Sequence, residues 1–172
     1  MRGIHLLINA KVSKLLFLNS DFKLNINLPD ELFKKMTYIC NQSYPNETGG
    51  IIIGQYSEDC LTANISEITS PTIDTVKRRF SLKRGINGLK EKLDALWENN
   101  NYYLGEWHYH PNASATPSKT DINQMIALSK YEKLNCPEPI LIIIGGNKTN
   151  WTKCAYVIIK DTLIYFDKST SI

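Results

Sequence analysis

The 172 residues are enough for one well-buried domain and few for two, and a hydrophobic share of 42% against 22% charged residues excludes general disorder. The net charge of +3 carries no dense basic stripe of the kind that binds nucleic acid, and Lys77-Arg78-Arg79 with Lys83-Arg84 reads as a solvated face. The longest apolar run, residues 140–144, is far too short to cross a bilayer, and Lys11 and Lys14 interrupt residues 6–10 before a secretory core forms, so a soluble cytoplasmic protein is expected.

In chain order, residues 1–28 alternate loosely through Phe22, Leu24, Ile26 and Leu28, which predicts an N-terminal extension of one or two edge strands. Residues 29–172 are expected to form one domain. Pro29-Asp30-Glu31 marks a helix start, with Leu32, Phe33, Met36, Ile39 and Cys40 on one face to about Asn41. Turn residues predict a loop over 45–50. Strands follow at 51–56 and 61–69, and Pro71 breaks the second. A short strand at 79–82 precedes a second helix in which Ile86, Leu89, Leu93, Leu96 and Trp97 share a face. Asn99-Asn100-Asn101 ends that helix, residues 102–110 read as a strand, and 111–117 as an irregular loop. Ser118 opens a third helix whose buried stripe is Ile122, Met125, Ile126 and Ser129, and strands at 139–144, 153–159 and 163–166 finish the chain. Strands interleaved with three helices indicate an α/β or α+β domain with helices packed on a curved mixed sheet. Cys40, Cys60, Cys136 and Cys154 form no C-x-x-C pair and stand apart from histidine in sequence, so reduced thiols are expected.

The chemistry concentrates in GEWHYHPNASATPSKTD: His-x-His, seven residues, Ser, two residues, Asp. Strand side chains alternate, so His108 and His110 face one way while Trp107 and Tyr109 face the other. The chain has room between His110 and Asp121 to double back and bring that carboxylate to the imidazoles. Two histidines and a carboxylate leave a fourth position open, the ligand count of a catalytic zinc, and one Zn2+ ion is expected. Ser118-Lys119-Thr120-Asp121 also reads as a capping box. The two readings are compatible, because helix geometry can fix the same Asp that an ion uses. A zinc hydrolase further needs a base for its water, whose pKa the metal lowers to about 7. Glu47, in the turn before Gly49-Gly50, is favoured, and Glu106, on the face of the histidines, is its rival. Ser118 Oγ is suited to donate to the water or to the tetrahedral oxyanion.

This set resembles that of the JAB/MPN metalloenzymes of the JAMM class: an upstream Glu, then His-x-His-Pro, a Ser after seven intervening residues and an Asp after two more. Glu47, His108, His110, Pro111, Ser118 and Asp121 match it, within a resemblance covering about residues 30–166. The resemblance implies a JAB/MPN-like domain with a curved mixed sheet packed between helices. It implies His108, His110 and Asp121 as zinc ligands, Glu47 rather than Glu106 as general acid/base, and Ser118 as transition-state stabiliser. Tyr109 stands where the eukaryotic form usually has Ser or Thr, and it is expected to point away from the metal. The long insertions with which eukaryotic deubiquitinating members grip ubiquitin are absent, which argues against ubiquitin as the substrate.

The stretches ETGG at 47–50, FSLKRG at 80–85, YLGEWH at 103–108 and CPEP at 136–139 are similar to bacterial short JAB proteins, in particular to the deconjugating isopeptidases of CBASS antiphage operons. That resemblance implies a zinc isopeptidase that cuts after the C-terminus of a conjugated protein, a cGAS-like nucleotidyltransferase. A fused E1/E2-like conjugating enzyme is the implied functional partner. An extended substrate tail is expected to add to a sheet edge near residues 51–56 or 76–82. The same site would serve a JAB peptidase that processes a ubiquitin-like or sulfur-carrier precursor, or a phage-tail or cell-wall peptidase. A non-catalytic MPN scaffold is disfavoured by the complete ligand set.

Overall fold

In a computed structural model, which describes residues 13–171, the chain opens with an antiparallel hairpin of β1 (Lys14–Asn19) and β2 (Leu24–Pro29). Residues 1–12 of the expected N-terminal extension lie outside the described residues. Pro29 ends β2 and precedes helix α1 (Asp30–Ser43), whose first turn carries Asp30 and Glu31, the charge sign that the positive end of a helix favours. As the periodicity predicts, α1 buries Met36 and Cys40, with Leu32, Phe33 and Ile39 packed against the same core.

Strands β3 (Thr48–Tyr56) and β4 (Thr62–Ile68) follow, then a separate small hairpin of β5 (Val76–Arg78) and β6 (Ser81–Lys83). Helix α2 (Leu89–Trp97), strand β7 (Tyr102–Pro111) and helix α3 (Lys119–Ser129) lead to β8 (Ile140–Asn147), β9 (Asn150–Ile159), β10 (Thr162–Tyr165) and β11 (Lys168–Ser171). Among the described residues, nine strands form one sheet in the order β10-β9-β8-β7-β3-β4-β2-β1-β11. The β2–β4 and β7–β8 pairs are parallel and the others antiparallel, so the sheet is mixed.

Both faces of the sheet centre are covered, which is why β8 reads as an unbroken apolar run. Ile140, Ile142 and Ile144 enter the core under α1, while Leu141 and Ile143 meet Met125, Ile126 and Leu128 of α3. In β3, Ile52 faces the α1 side, and Ile51 and Ile53 pack with Leu89, Leu93 and Leu96 of α2. The protein is thus an α+β domain with a curled mixed sheet between helices. No helix among the described residues is long and apolar enough to cross a membrane.

Several local expectations give way to tertiary pairing. Residues 48–50 are strand rather than loop, because Thr48, Gly49 and Gly50 pair with Tyr109, His108 and Trp107. The glycines serve close approach here: a Cβ on Gly49 would lie 2.3 Å from the Trp107 carbonyl oxygen. The expected strand at 79–82 is instead the turn and second arm of the β5–β6 hairpin. Ile86 and Trp97, expected on the buried face of α2, are 73% and 56% exposed: Ile86 precedes the helix, which begins only at Leu89, and Trp97 stands at its last position. The edge expected at 51–56 is closed, because β3 is flanked on both sides by β4 and β7. β11, polar and exposed throughout, has no hydrophobic period to announce it.

Between β3 and β7 the register shifts: Ile52 pairs with Gly105 and Ile53 with Tyr103, leaving Leu104 as an extra residue. Gly105 sits at φ 150°, and a Cβ there would strike the Ile140 carbonyl oxygen at 1.9 Å. Such a bulge re-aims the strand. Beyond it, Glu106, His108 and His110 share the face of Tyr103, toward α2 and α3.

Candidate metal centre

β7 carries His108 and His110 to the sheet end where α3 begins. The loop between them is pinned rather than free. Asn112 N–H donates to the Gly146 carbonyl at 2.8 Å, Gly146 N–H to Ala113 at 2.9 Å, and the Tyr156 hydroxyl to the Ala115 carbonyl at 3.1 Å. The loop therefore returns the chain to a defined point, the N-cap Ser118.

The capping box forms in full. Asp121 N–H donates to Ser118 Oγ at 3.2 Å, and Ser118 N–H donates to Asp121 Oδ2 at 2.7 Å. The same carboxylate meets both histidines: His108 Nδ1 is 2.9 Å from Asp121 Oδ1, and His110 Nε2 is 3.5 Å from Oδ2. One ligand atom from each of His108, His110 and Asp121 lies within 4.8 Å of the others. His108 and Asp121 are buried and His110 retains 13% side-chain exposure, so the cluster opens to solvent on the His110 side. Two imidazoles and one carboxylate at this spacing fit a divalent ion of the zinc type, whose fourth position these three residues leave unfilled.

Electrostatics agree with the geometry. Burial opposes charge on His108, but hydrogen bonds to Asp121 and Glu106 outweigh it and raise its pKa to about 9. Burial would raise the Asp121 carboxyl, yet bonds to His108 and His110 hold it well below the usual carboxylate range. The His108 imidazole and the Asp121 carboxylate are in direct hydrogen-bond contact, an arrangement into which a cation can insert by displacing a proton.

Glu47 is half-buried, immediately before β3, and its backbone N–H donates to the Arg78 carbonyl of β5 at 2.8 Å. Burial pushes its carboxyl above the ordinary value; His110 and His108 pull it down, and Asp121 adds to the rise. The charges of all three cluster side chains therefore bear on the Glu47 carboxyl. Ser118 is exposed at the rim, and its Oγ, an acceptor toward Asp121 N–H, keeps its own proton free to donate. Tyr109 points to the opposite face: it is buried, its hydroxyl donates to the Gly146 carbonyl at 3.1 Å, and its ring meets Trp151 edge-on.

Glu106 shares the histidine face but is enclosed: Arg84, Tyr103, Gln124 and His108 all contact its carboxylate. Sequence reading missed these partners. Gln124 was in principle detectable, three residues after Asp121 on the same helix; Arg84, read as part of a solvated cluster, is paired with Glu106 at 2.7 Å and 17% exposed. Leu82 of β6 was also unforeseen; it comes close enough to meet a Cβ on Gly49 at 3.0 Å, beside His108.

Residues 29–160 match the family described as prokaryotic homologs of the JAB domain. Over 122 residues, 71% of this chain and 68% of the relative, the sequence is 40% identical to a protein of Enterobacter hormaechei named CD-NTase/cGAS isopeptidase. An Escherichia coli protein of the same name is 29% identical over 144 residues, 81% of this chain and 87% of the relative. The solved structure of a Desulfitobacterium hafniense protein shares the fold, with a TM-score of 0.55 at 20% identity over 78% of this chain and 85% of that one. This chain belongs to the prokaryotic homologues of the JAB domain.

Proposed function

We propose that the protein is a zinc-dependent isopeptidase that cleaves the bond after the C-terminus of a conjugated protein. The observation that carries this reading is the convergence of His108, His110 and Asp121, brought together from a strand end and a helix start, with Glu47 beside them. The names of the Enterobacter hormaechei and Escherichia coli relatives support the substrate: a cGAS-like nucleotidyltransferase released from its targets. A fused E1/E2-like enzyme that makes the conjugate is the matching partner, and the bacterial cytoplasm, where four free cysteines stay reduced, is the matching compartment.

His108, His110 and Asp121 would hold one Zn2+ ion. When bound, zinc supplies a Lewis acid that acidifies the attacking water and polarises the scissile carbonyl. Glu47, with its carboxyl raised by burial, would accept a proton from the attacking water and pass it to the leaving amine. Ser118 Oγ–H, free because the hydroxyl's lone pair serves Asp121 N–H, donates to the developing oxyanion. The outer edge of the β5–β6 hairpin offers backbone groups to an extended substrate tail, and the Glu47–Arg78 bond sets that edge beside the base.

The test is cleavage of a nucleotidyltransferase fused at its C-terminus to a reporter. A chelator should abolish cleavage, and Glu47→Ala should abolish it while zinc stays bound. Cleavage that persists in Glu47→Ala refutes the base, and an intact fusion under zinc-loaded wild-type protein refutes the substrate.

A further inference from the structure

Glu106 has no place in the ligand, base or donor set, yet it is the most enclosed carboxylate near the site, at 0% exposure. Its Oε1 accepts from Arg84 Nη2 at 2.7 Å and from the Tyr103 hydroxyl at 3.4 Å. Its Oε2 accepts from Gln124 Nε2 at 3.0 Å and lies 3.3 Å from His108 Nε2. With both oxygens occupied and no path to water, Glu106 is unsuited to carry protons. It does touch the far nitrogen of His108, whose Nδ1 faces Asp121. When Nε2–H is donated to Glu106, the Nδ1 lone pair is left facing the metal position, and the plane of the ring is set.

We infer that Glu106 is a positioning residue for His108, and that Arg84 makes this positioning depend on where the β5–β6 hairpin sits. The inference rests on the reading of His108 as a metal ligand. Arg84 follows directly on β6 and brings the countercharge from the hairpin into the core. An ion pair serving only to anchor the hairpin would need no contact with an imidazole. It would also be a poor anchor, since Arg84 Nε is buried without a partner and an apolar pair would avoid that cost. Glu106 shares the face of His108 by strand alternation, and the bulge adds a second sign of specialisation: with Leu104 as the extra residue, Tyr103 is brought to that same face, where its hydroxyl bonds to Glu106. The hairpin thereby reaches the site three ways, through Arg78 to the Glu47 backbone, through Leu82 beside Gly49 and His108, and through Arg84 to Glu106.

The test measures zinc affinity of the full-length protein by competition with a chromogenic chelator, together with the visible spectrum of the cobalt-substituted form. Glu106→Gln should weaken zinc about 10- to 100-fold, the range for lost partners of metal-bound histidines, and should shift the cobalt bands. Arg84→Met should weaken zinc in the same direction and Arg84→Lys should recover most of the loss. On the cleavable fusion, kcat should fall in these variants with KM unchanged. Folded Glu106→Gln with wild-type zinc affinity and cobalt spectrum overturns the inference while leaving the metal site intact. If Glu106→Gln does not fold, Gln124→Ala decides: a few-fold loss of zinc affinity supports the inference and no loss overturns it. Failure of wild-type protein to bind zinc refutes the metal reading and the inference with it.

Discussion

Ser118 caps α3 and, in the proposed mechanism, also donates to the oxyanion, and substitution can separate the two tasks. Its Oγ accepts from Asp121 N–H at 3.2 Å, the N-cap bond, while the reciprocal bond to Asp121 Oδ2, at 2.7 Å, comes from the Ser118 backbone. That second bond survives any side chain at 118 except proline, so Asp121 stays aimed at the histidines and zinc binding should be retained. Ser118→Ala loses the cap, a cost of about 1 kcal/mol, and Ser118→Gly loses only a few tenths. For a domain of this size that is a Tm decrease of about 2–4 °C for Ala and under about 1 °C for Gly. Both variants lack the hydroxyl, and loss of one oxyanion donor lowers kcat about 10²- to 10³-fold. Thermal melts and cleavage of the C-terminal fusion, run on zinc-loaded protein, should therefore show two variants of unequal stability and equal, low turnover. A Gly variant that recovers turnover along with stability would show that Ser118 acts only through the helix. Turnover within about 3-fold of wild type in both would remove it from the chemistry.

The zinc-free protein should bind zinc more tightly as pH rises. His108, with its pKa raised to about 9, is protonated below that value, so binding expels a proton and affinity climbs up to about tenfold per pH unit until pH reaches about 9. Calorimetry in buffers of different ionisation enthalpy should count close to one proton released near pH 7; a pH-independent affinity contradicts the shift. The same raised pKa stabilises the zinc-free fold fully below about 6.5, and this contribution is lost as pH rises through 9, which thermal melts of chelated protein should follow. Gly49→Ala places a Cβ 2.3 Å from the Trp107 carbonyl oxygen and 3.1 Å from His108 Cδ2. It should cost about 1–3 kcal/mol as an overpacking change and lower zinc affinity by moving His108, read by denaturant melts and chelator competition; unchanged values would show that β3 and β7 separate freely. Tyr109→Phe loses one hydrogen bond to Gly146, about 1 kcal/mol of stability, but should leave turnover unchanged because the hydroxyl lies on the face away from the cluster. A fall in kcat would place Tyr109 in the site.

Much of the helical and strand pattern was legible because it is written in local periodicity. The face of α1 and the apolar run of β8 need no knowledge of their neighbours to be recognised, only that something will cover them. Residues 48–50 were misread for a complementary reason. Glycine signals a turn when the chain alone is considered, yet here Gly49 and Gly50 lie against Trp107 and His108 in a sheet interior where a side chain has no space. The exposed Ile86 and Trp97 show the same limit: periodicity finds a helical face but not where the helix starts or how far along it the cover extends. Polar edge strands such as β11 leave no hydrophobic trace at all.

The spacing of His108, His110, Ser118 and Asp121 determined which groups belong together, since a strand period and a capping box are local and survive any tertiary arrangement. The turn before β3 singles out Glu47 locally, but only the pairing of Thr48 with Tyr109 sets that turn beside the strand that carries the histidines. The roles that sequence left open were decided by burial and by contacts between residues far apart in the chain. Arg84 looked like one cation in a solvated run and is the countercharge of an enclosed carboxylate. Glu106 looked like a rival base and is shut away from water beside a histidine. Charge and periodicity are properties of a residue and its near neighbours, whereas access to water and the identity of a distant partner exist only once the chain has folded.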